Sequence, residues 1–194
     1  MCASYEARFS VKELVDAFAA ADAALKLTRG LPNLEPRERV RPTDPAPAIR
    51  VGDDGQPDLF DMRFGFPPPR PKAGPVINFR SEGRTLRNGD NGGRCLVPVS
   101  GFYEFTGDTY PKTRWIFRDP ERPFLALAGV WRRTDWGEAF SLLTAEPGPD
   151  VAPYHSRGVL PLQPDLWADW LHDRRPARDI LSPPPAGALV VARA

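Results

Sequence analysis

Cys95-Leu96-Val97-Pro98-Val99-Ser100-Gly101-Phe102-Tyr103-Glu104-Phe105 is the stretch on which the fold turns. β-Branched and aromatic residues dominate it, so the block reads as strand and not as helix. Downstream, Arg114–Phe117, Phe124–Trp131 and Phe140–Thr144 read as three further strands. Upstream, Val76–Phe79 is a strand, as are Ala48–Val51 and Leu59–Phe66, with Asp53-Asp54-Gly55 turning between the last two. Leu189–Val191 is a last strand.

Helix is confined to the flanks. Ser10-Val11-Lys12-Glu13 has the spacing of a capping box, and Leu14, Val15, Phe18, Ala21 and Leu25 carry a helical period through about Leu27. Pro164–Leu171 reads as a short second helix. Between them, Pro32, Pro36, Pro42, Pro45 and Pro47 exclude helix and predict an extended surface path. The run Pro67–Pro75 predicts a rigid, polyproline-like loop. The fold expected is α+β and mainly β. It is a single domain over residues 1–194, built on a folded-over antiparallel sheet or open barrel with a few peripheral helices.

Composition narrows the function classes. The 26 basic and 25 acidic residues leave a net charge of +1, which argues against a polycation or an acidic tail. The charge is nonetheless uneven. From Arg63 to Arg114 nine basic residues face four acidic ones, giving +5, so the remainder carries −4. Such a basic middle can hold a phosphate backbone, or can simply be a solvated arginine-rich loop. Cys2 and Cys95 form neither a zinc-ligand spacing nor a disulfide framework. No apolar run approaches the length of a membrane span, and the first ten residues lack a signal-peptide core. A cytoplasmic protein with reduced thiols is expected, with no metal and no membrane partner.

Cys2 stands out chemically. Loss of the initiator methionine would leave an α-amine and a thiol on one residue, with ordinary pKa values near 8 and 8.5. An aldehyde can form an imine with that amine, and the thiol can close on the imine carbon to give a thiazolidine. The alternative is a frayed terminus of no consequence. Glu104 sits among aromatics, where a carboxylate is costly unless paired or used, or else faces outward from its strand. Asn78 lies in an apolar strand and either serves a site or satisfies backbone. His155, one of two histidines, follows a Gly/Pro-rich stretch and is suited to proton transfer. His172 reads as an exposed residue at a helix end, and Cys95 as an inert core thiol.

In order and spacing these residues resemble the SRAP family, the SOS response-associated peptidases, which include proteins that shield abasic sites in DNA. The resemblance rests on Met1-Cys2, Met62-Arg63-Phe64-Gly65-Phe66-Pro67, Asn78-x-Arg80-x-Glu82 and Arg94-Cys95-Leu96-Val97-Pro98 running into Gly101-Phe102-Tyr103-Glu104. Ala128-Gly129-Val130-Trp131, Phe140-Ser141-Leu142-Leu143-Thr144 and His155-x-Arg157 complete it, so it covers essentially the whole chain. Ala3-Ser4 stand where the family commonly has Gly-Arg, and prolines occupy the loop that often carries aromatic wedge residues.

The resemblance implies that Cys2 forms a thiazolidine crosslink with a ring-opened abasic sugar. It implies that Asn78 orients the reactants, Glu104 acts as acid and base, and His155 assists proton transfer. Arg80 is the implied phosphate-gripping residue, with Arg84 or Arg87 as a second, and Arg63 and Arg157 complete the DNA-binding candidates. The implied partner is single-stranded DNA bearing abasic sites, bound by a monomer without metal or cofactor, with lyase and self-processing peptidase activities as related chemistry. A thiol autopeptidase and a non-catalytic DNA-binding domain are the alternative readings.

Overall fold

Ser100 breaks the central block in two, and the break builds the fold. In a computed structural model of the chain, residues 2–30 and 34–194 are described; the predicted loss of Met1 and the position of Pro32 lie outside them. Along the chain come β1 (Tyr5–Ala7), α1 (Val11–Ala20), β2 (Arg37–Val40), β3 (Pro45–Val51), β4 (Pro57–Phe64) and β5 (Asn78–Arg80). Then follow β6 (Gly92–Val99), β7 (Gly101–Thr106), β8 (Thr113–Arg118), β9 (Leu125–Thr134) and β10 (Gly137–Ala145). The short β11 (Gly158–Val159) and β12 (Pro161–Leu162), a 3-10 turn at Pro164–Leu166, α2 (Trp167–Leu171), α3 (Ala177–Ile180) and β13 (Val190–Arg193) complete it.

The protein is mostly β, in two sheets with few helices. β7 belongs to a five-stranded sheet of order β13-β8-β7-β1-β2, and β6 to the larger sheet of order β11-β10-β4-β3-β6-β9-β12. At the corner, the Ser100 N–H donates to the Glu6 carbonyl (2.8 Å) and the Arg8 N–H donates to Ser100 Oγ (2.8 Å). Gly101 allows β7 to lie against β8, since a Cβ there would come within 3.0 Å of the Phe117 carbonyl. The larger sheet closes on itself, because β10 pairs with both β4 and β9. Its β10–β4 and β10–β5 pairings are parallel, so antiparallel pairing does not run throughout.

α1 begins as predicted: Ser10 Oγ accepts from the Glu13 N–H and the Glu13 carboxylate accepts from the Ser10 N–H. It ends at Ala20, short of the expected Leu27. Asp22 takes a left-handed φ of 52°, and the Ala23 N–H returns to the Phe18 carbonyl (3.0 Å), closing the helix end. Leu25 still packs on the core, so the apolar period outlasts the helix. Pro45 and Pro47 are extended as expected but belong to β3, where Pro45 is exposed and Pro47 is buried and not on the surface. They lie where β3 ladders with β4, while its pairing with β6 is at Ile49, so the missing N–H groups break no ladder toward β6.

One apolar cluster runs from Cys2 and Tyr5 through Leu96, Phe102, Phe140 and Trp170. Arg94 is buried within reach of it, with Nε donating to the Leu86 carbonyl (3.0 Å), an ion pair to Asp173 (2.7 Å) and the Trp170 ring 4.6 Å below. Where β6, β9 and β10 pack together, a Cβ on Gly129 would lie 2.9 Å from Cys95 Sγ and 3.1 Å from the Ser141 carbonyl. Gly129→Ala is therefore expected to destabilise the protein by about 1–3 kcal/mol through overpacking, read as a lower urea midpoint with an unchanged m-value.

Candidate active site around Cys2

Second residues of chains ordinarily fray, yet Cys2 has no exposed surface. β1 holds it there, paired with β7 on one side and β2 on the other. The Tyr103 N–H donates to the Ser4 carbonyl at 3.1 Å, and Asn78 Nδ2 donates to the Cys2 carbonyl at 2.9 Å. The Cys2 thiol itself donates to the Ser4 carbonyl at 3.3 Å. Burial, and after it the nearby Glu104 charge, push the thiol up to about 12, so it is protonated at neutral pH.

Glu104 lies on β7 opposite Trp115 of β8 and is buried, not outward-facing. Burial raises its carboxyl above the ordinary value of 4.5. Asn78 opens β5, which pairs with Leu142–Thr144 of β10, and its amide reaches the Cys2 carbonyl. With Nδ2 bound to Cys2, the amide orientation is set. Its Oδ1 is buried and has no hydrogen-bond partner among the described residues.

His155 reaches this region by two neighbours. Tyr154 packs against Trp115, the residue paired with Glu104, with ring centroids 4.9 Å apart. Arg157 grips β10 and the end of β5: its Nη2 donates to the Thr144 carbonyl (2.7 Å) and to Glu82 Oε2 (2.9 Å), and its Nη1 donates to Glu82 Oε1 (2.5 Å). That bidentate pair holds the Glu82 carboxyl down to about 2. The Arg157 N–H donates to His155 Nδ1 at 2.9 Å, which assigns the neutral ring's proton to Nε2. Burial lowers the His155 pKa below 6.5.

The structure thus places the Asn78 amide on Cys2 and Glu104 near enough to act on its thiol by charge, while His155 is tied to the same part of the fold through Tyr154 and Arg157. The DNA-binding candidates divide. Arg80, at the end of β5, and Arg84 and Arg87 beyond it are exposed, with Arg84 stacked on Phe79 at 4.1 Å and Arg87 paired with Asp173 at 3.3 Å. Arg63 is exposed on β4 and donates to the Thr43 carbonyl (3.1 Å). Arg157 is engaged within the protein by Glu82 and Thr144. Glu82 had a place in the motif but no role assigned from sequence; its signal was the alternation Asn78, Arg80, Glu82. Arg132 had no sequence signal, since only the course of β9 brings it 5.4 Å from the Phe79 ring. Cys95 is buried with its thiol raised by desolvation, as a core residue would be. Among the described residues no group of His, Cys, Asp and Glu could hold a metal ion, and no helix is long and apolar enough to cross a membrane.

The chain is thus a two-sheet β protein that buries the thiol of its second residue beside the Asn78 amide. The profile of the SOS response associated peptidase (SRAP) family matches residues 1–193, and the chain belongs to that family. Three crystal structures share the fold. One, a protein of Bordetella bronchiseptica, is 23% identical with a TM-score of 0.71, covering 100% of this chain and 99% of its own. A phage-related protein of the same organism is 21% identical with a TM-score of 0.74, covering 100% and 94%. A protein of Bacteroides thetaiotaomicron is 17% identical with a TM-score of 0.71, covering 97% and 91%. No curated protein matches the chain.

A carboxyl raised by burial favours its neutral form: its contribution to stability is full below the unfolded value near 4.5 and is lost as pH rises through the folded one. Glu104→Gln is therefore expected to match the wild type near about pH 4 and to be the more stable at about pH 8. Urea midpoints at both pH values check this, and an equal difference at both would contradict it.

Proposed function

We propose that the protein processes abasic sites: it binds single-stranded DNA and traps the ring-opened abasic sugar through Cys2 as a thiazolidine crosslink. Residues 1–194 act as one unit, a monomer in the cytoplasm. The observation that carries the reading is the amide of Asn78, which holds the Cys2 carbonyl through Nδ2 and keeps a buried Oδ1, without a hydrogen-bond partner among the described residues, beside the residue whose amine must react.

The chemistry starts with removal of the initiator methionine, which frees the Cys2 α-amine. The amine adds to the sugar aldehyde carbon, and water leaves to form an imine. The sulfur then adds to the imine carbon while the thiol proton passes to nitrogen, closing a five-membered ring. The step is redox-neutral and consumes no co-reactant. The spare acceptor of Asn78 suits an N–H of the freed amine and aims its lone pair at the aldehyde. Glu104, raised by burial, is suited to protonate the departing hydroxyl and to relay the thiol proton to nitrogen. His155, neutral with its proton on Nε2, offers a hydrogen-bond donor for the sugar oxygen during ring opening. Arg80, Arg84, Arg87 and Arg63 supply positive charge for the phosphates.

The family's peptidase description supports a second reading, in which the Cys2 thiol cleaves the peptide bond that precedes it. Protein made without methionine aminopeptidase activity would then lack Met1 in an intact-mass measurement; retained Met1 argues for processing in trans.

Methionine-processed protein mixed with abasic single-stranded DNA is expected to give an adduct that survives denaturing electrophoresis. Cys2→Ala should abolish it, and Asn78→Ala should slow it by about 10- to 100-fold, as loss of a positioning hydrogen bond does. Equal crosslinking by Cys2→Ala would defeat the reading.

A further inference from the structure

The segment from Asn78 to Glu82 is tied to two parts of the site. Asn78 holds the Cys2 carbonyl, and Glu82 holds the guanidinium of Arg157. Between them the chain is pinned at one acceptor. The Thr144 carbonyl of β10 accepts from the Ser81 N–H (3.0 Å), from Ser81 Oγ (3.1 Å) and from Arg157 Nη2 (2.7 Å). β10 then pairs with β11, so that Ala145 lies opposite Gly158, the residue after Arg157. The strand that carries Asn78 and the loop that carries His155 therefore meet at the end of β10.

His155 is held from both sides. Ahead of it, the N–H groups of Tyr154 (2.9 Å) and of His155 itself (3.0 Å) donate to the Val151 carbonyl and close a turn. Behind it stands Arg157, whose N–H donates to His155 Nδ1 at 2.9 Å. Glu82 is 47% exposed, so its ion pair with Arg157 adds little to stability. What the pair supplies is orientation, because two parallel bonds from one guanidinium to one carboxylate fix direction as well as distance. Release of that fork would leave the Arg157 side chain on the Thr144 oxygens alone and let its N–H swing from Nδ1. A neutral imidazole without that donor can carry its proton on either nitrogen. With the proton on Nδ1, Nε2 becomes an acceptor and can no longer donate to a sugar oxygen.

We propose that Glu82 is a positioning residue for His155: through Arg157 it holds the imidazole in the tautomer that keeps its proton on Nε2. This rests on the reading of the Cys2 site. One segment of five residues then sets both the nucleophile, through Asn78, and the proton donor, through Glu82. Burial that keeps His155 neutral makes the choice of tautomer, and not the charge, the state that decides whether it can donate.

The test uses the full chain freed of Met1 and two variants. Glu82→Gln removes the charge and half of the fork, and Arg157→Lys keeps the positive charge without the planar two-pronged geometry. Thermal melts establish folding, and each variant reads the contact independently of the other. Adduct formation is followed against the concentration of abasic single-stranded DNA. The maximal rate is expected to fall about 10-fold in each variant and no further in the double variant, since both changes break one contact. The half-saturating DNA concentration is expected not to rise in Glu82→Gln, because losing a carboxylate can only favour phosphates. Long-range proton–nitrogen correlation spectra of isotope-labelled protein at about pH 8, where both histidines are neutral, read the tautomer directly. With His172→Gln as the background, His155 is the single ring observed. The Nε2-protonated pattern is expected alone with Glu82 and Arg157 intact, and a mixture of tautomers in either variant. Variants that keep the single tautomer, effects that multiply in the double variant, or slowing that disappears at saturating DNA would each overturn the positioning role. Absence of any adduct from the chain with Glu82 and Arg157 intact would defeat the reading of Cys2, while the spectra would still decide whether Glu82 sets the ring.

Discussion

Burying the second residue of a chain demands that the chain start be held from both sides, and the rest of this structure depends on that constraint. β1 is three residues long, too short to be stable alone. It persists because β7 and β2 flank it, because Ser100 at the sheet corner bonds both Glu6 and Arg8, and because Glu6 accepts from Tyr103 (2.7 Å) and pairs with Arg118 (2.7 Å). The buried Glu6 carboxylate is thus satisfied from the strand next to β1 and from the one beyond it. Without that clamp Cys2 would be solvated, and its thiol would be an ordinary surface group.

Burial sets the chemistry of the site as well as its place. A thiol moved up to about 12 is protected from adventitious oxidation and alkylation, because the thiolate is the reactive form. The same desolvation raises Glu104 and lowers His155, in each case toward the neutral form. Proton transfer then needs less rearrangement of solvent, and the fold bears the energetic burden through the strain of an enclosed carboxyl. That bias toward neutral forms suits the proposed reaction, in which a neutral amine and an aldehyde combine and release water.

Two loops join this pocket to the arginine-rich side. Arg157 ties the His155 loop to Glu82 and to the end of β10, while Ser81 Oγ donates to the same Thr144 carbonyl at 3.1 Å. The residues beyond β5 therefore start from a rigid point, although they run through a turn-rich exposed segment. Phe79 and Asn78, on opposite faces of one short strand, connect the two sides of the molecule.

Much was legible in the sequence. The β-rich blocks, the capping box at Ser10 and the positions of Cys2, Asn78, Glu104 and His155 in their motifs follow from local propensity and spacing, which neighbouring residues alone decide. The sequence determined which residue types could do chemistry and that the middle of the chain is basic. Only the tertiary structure decided where α1 stops, with Asp22 in a left-handed turn while Leu25 still packs on the core, and where the central block bends, since Ser100 bonds a strand more than ninety residues away in the chain. The pairing of Arg157 with Glu82, the buried state of Cys2 and the meeting of Arg132 with Phe79 are contacts of high sequence separation. Their energies come from desolvation and through-space charge, which no local pattern encodes and which exist only once the sheets have closed.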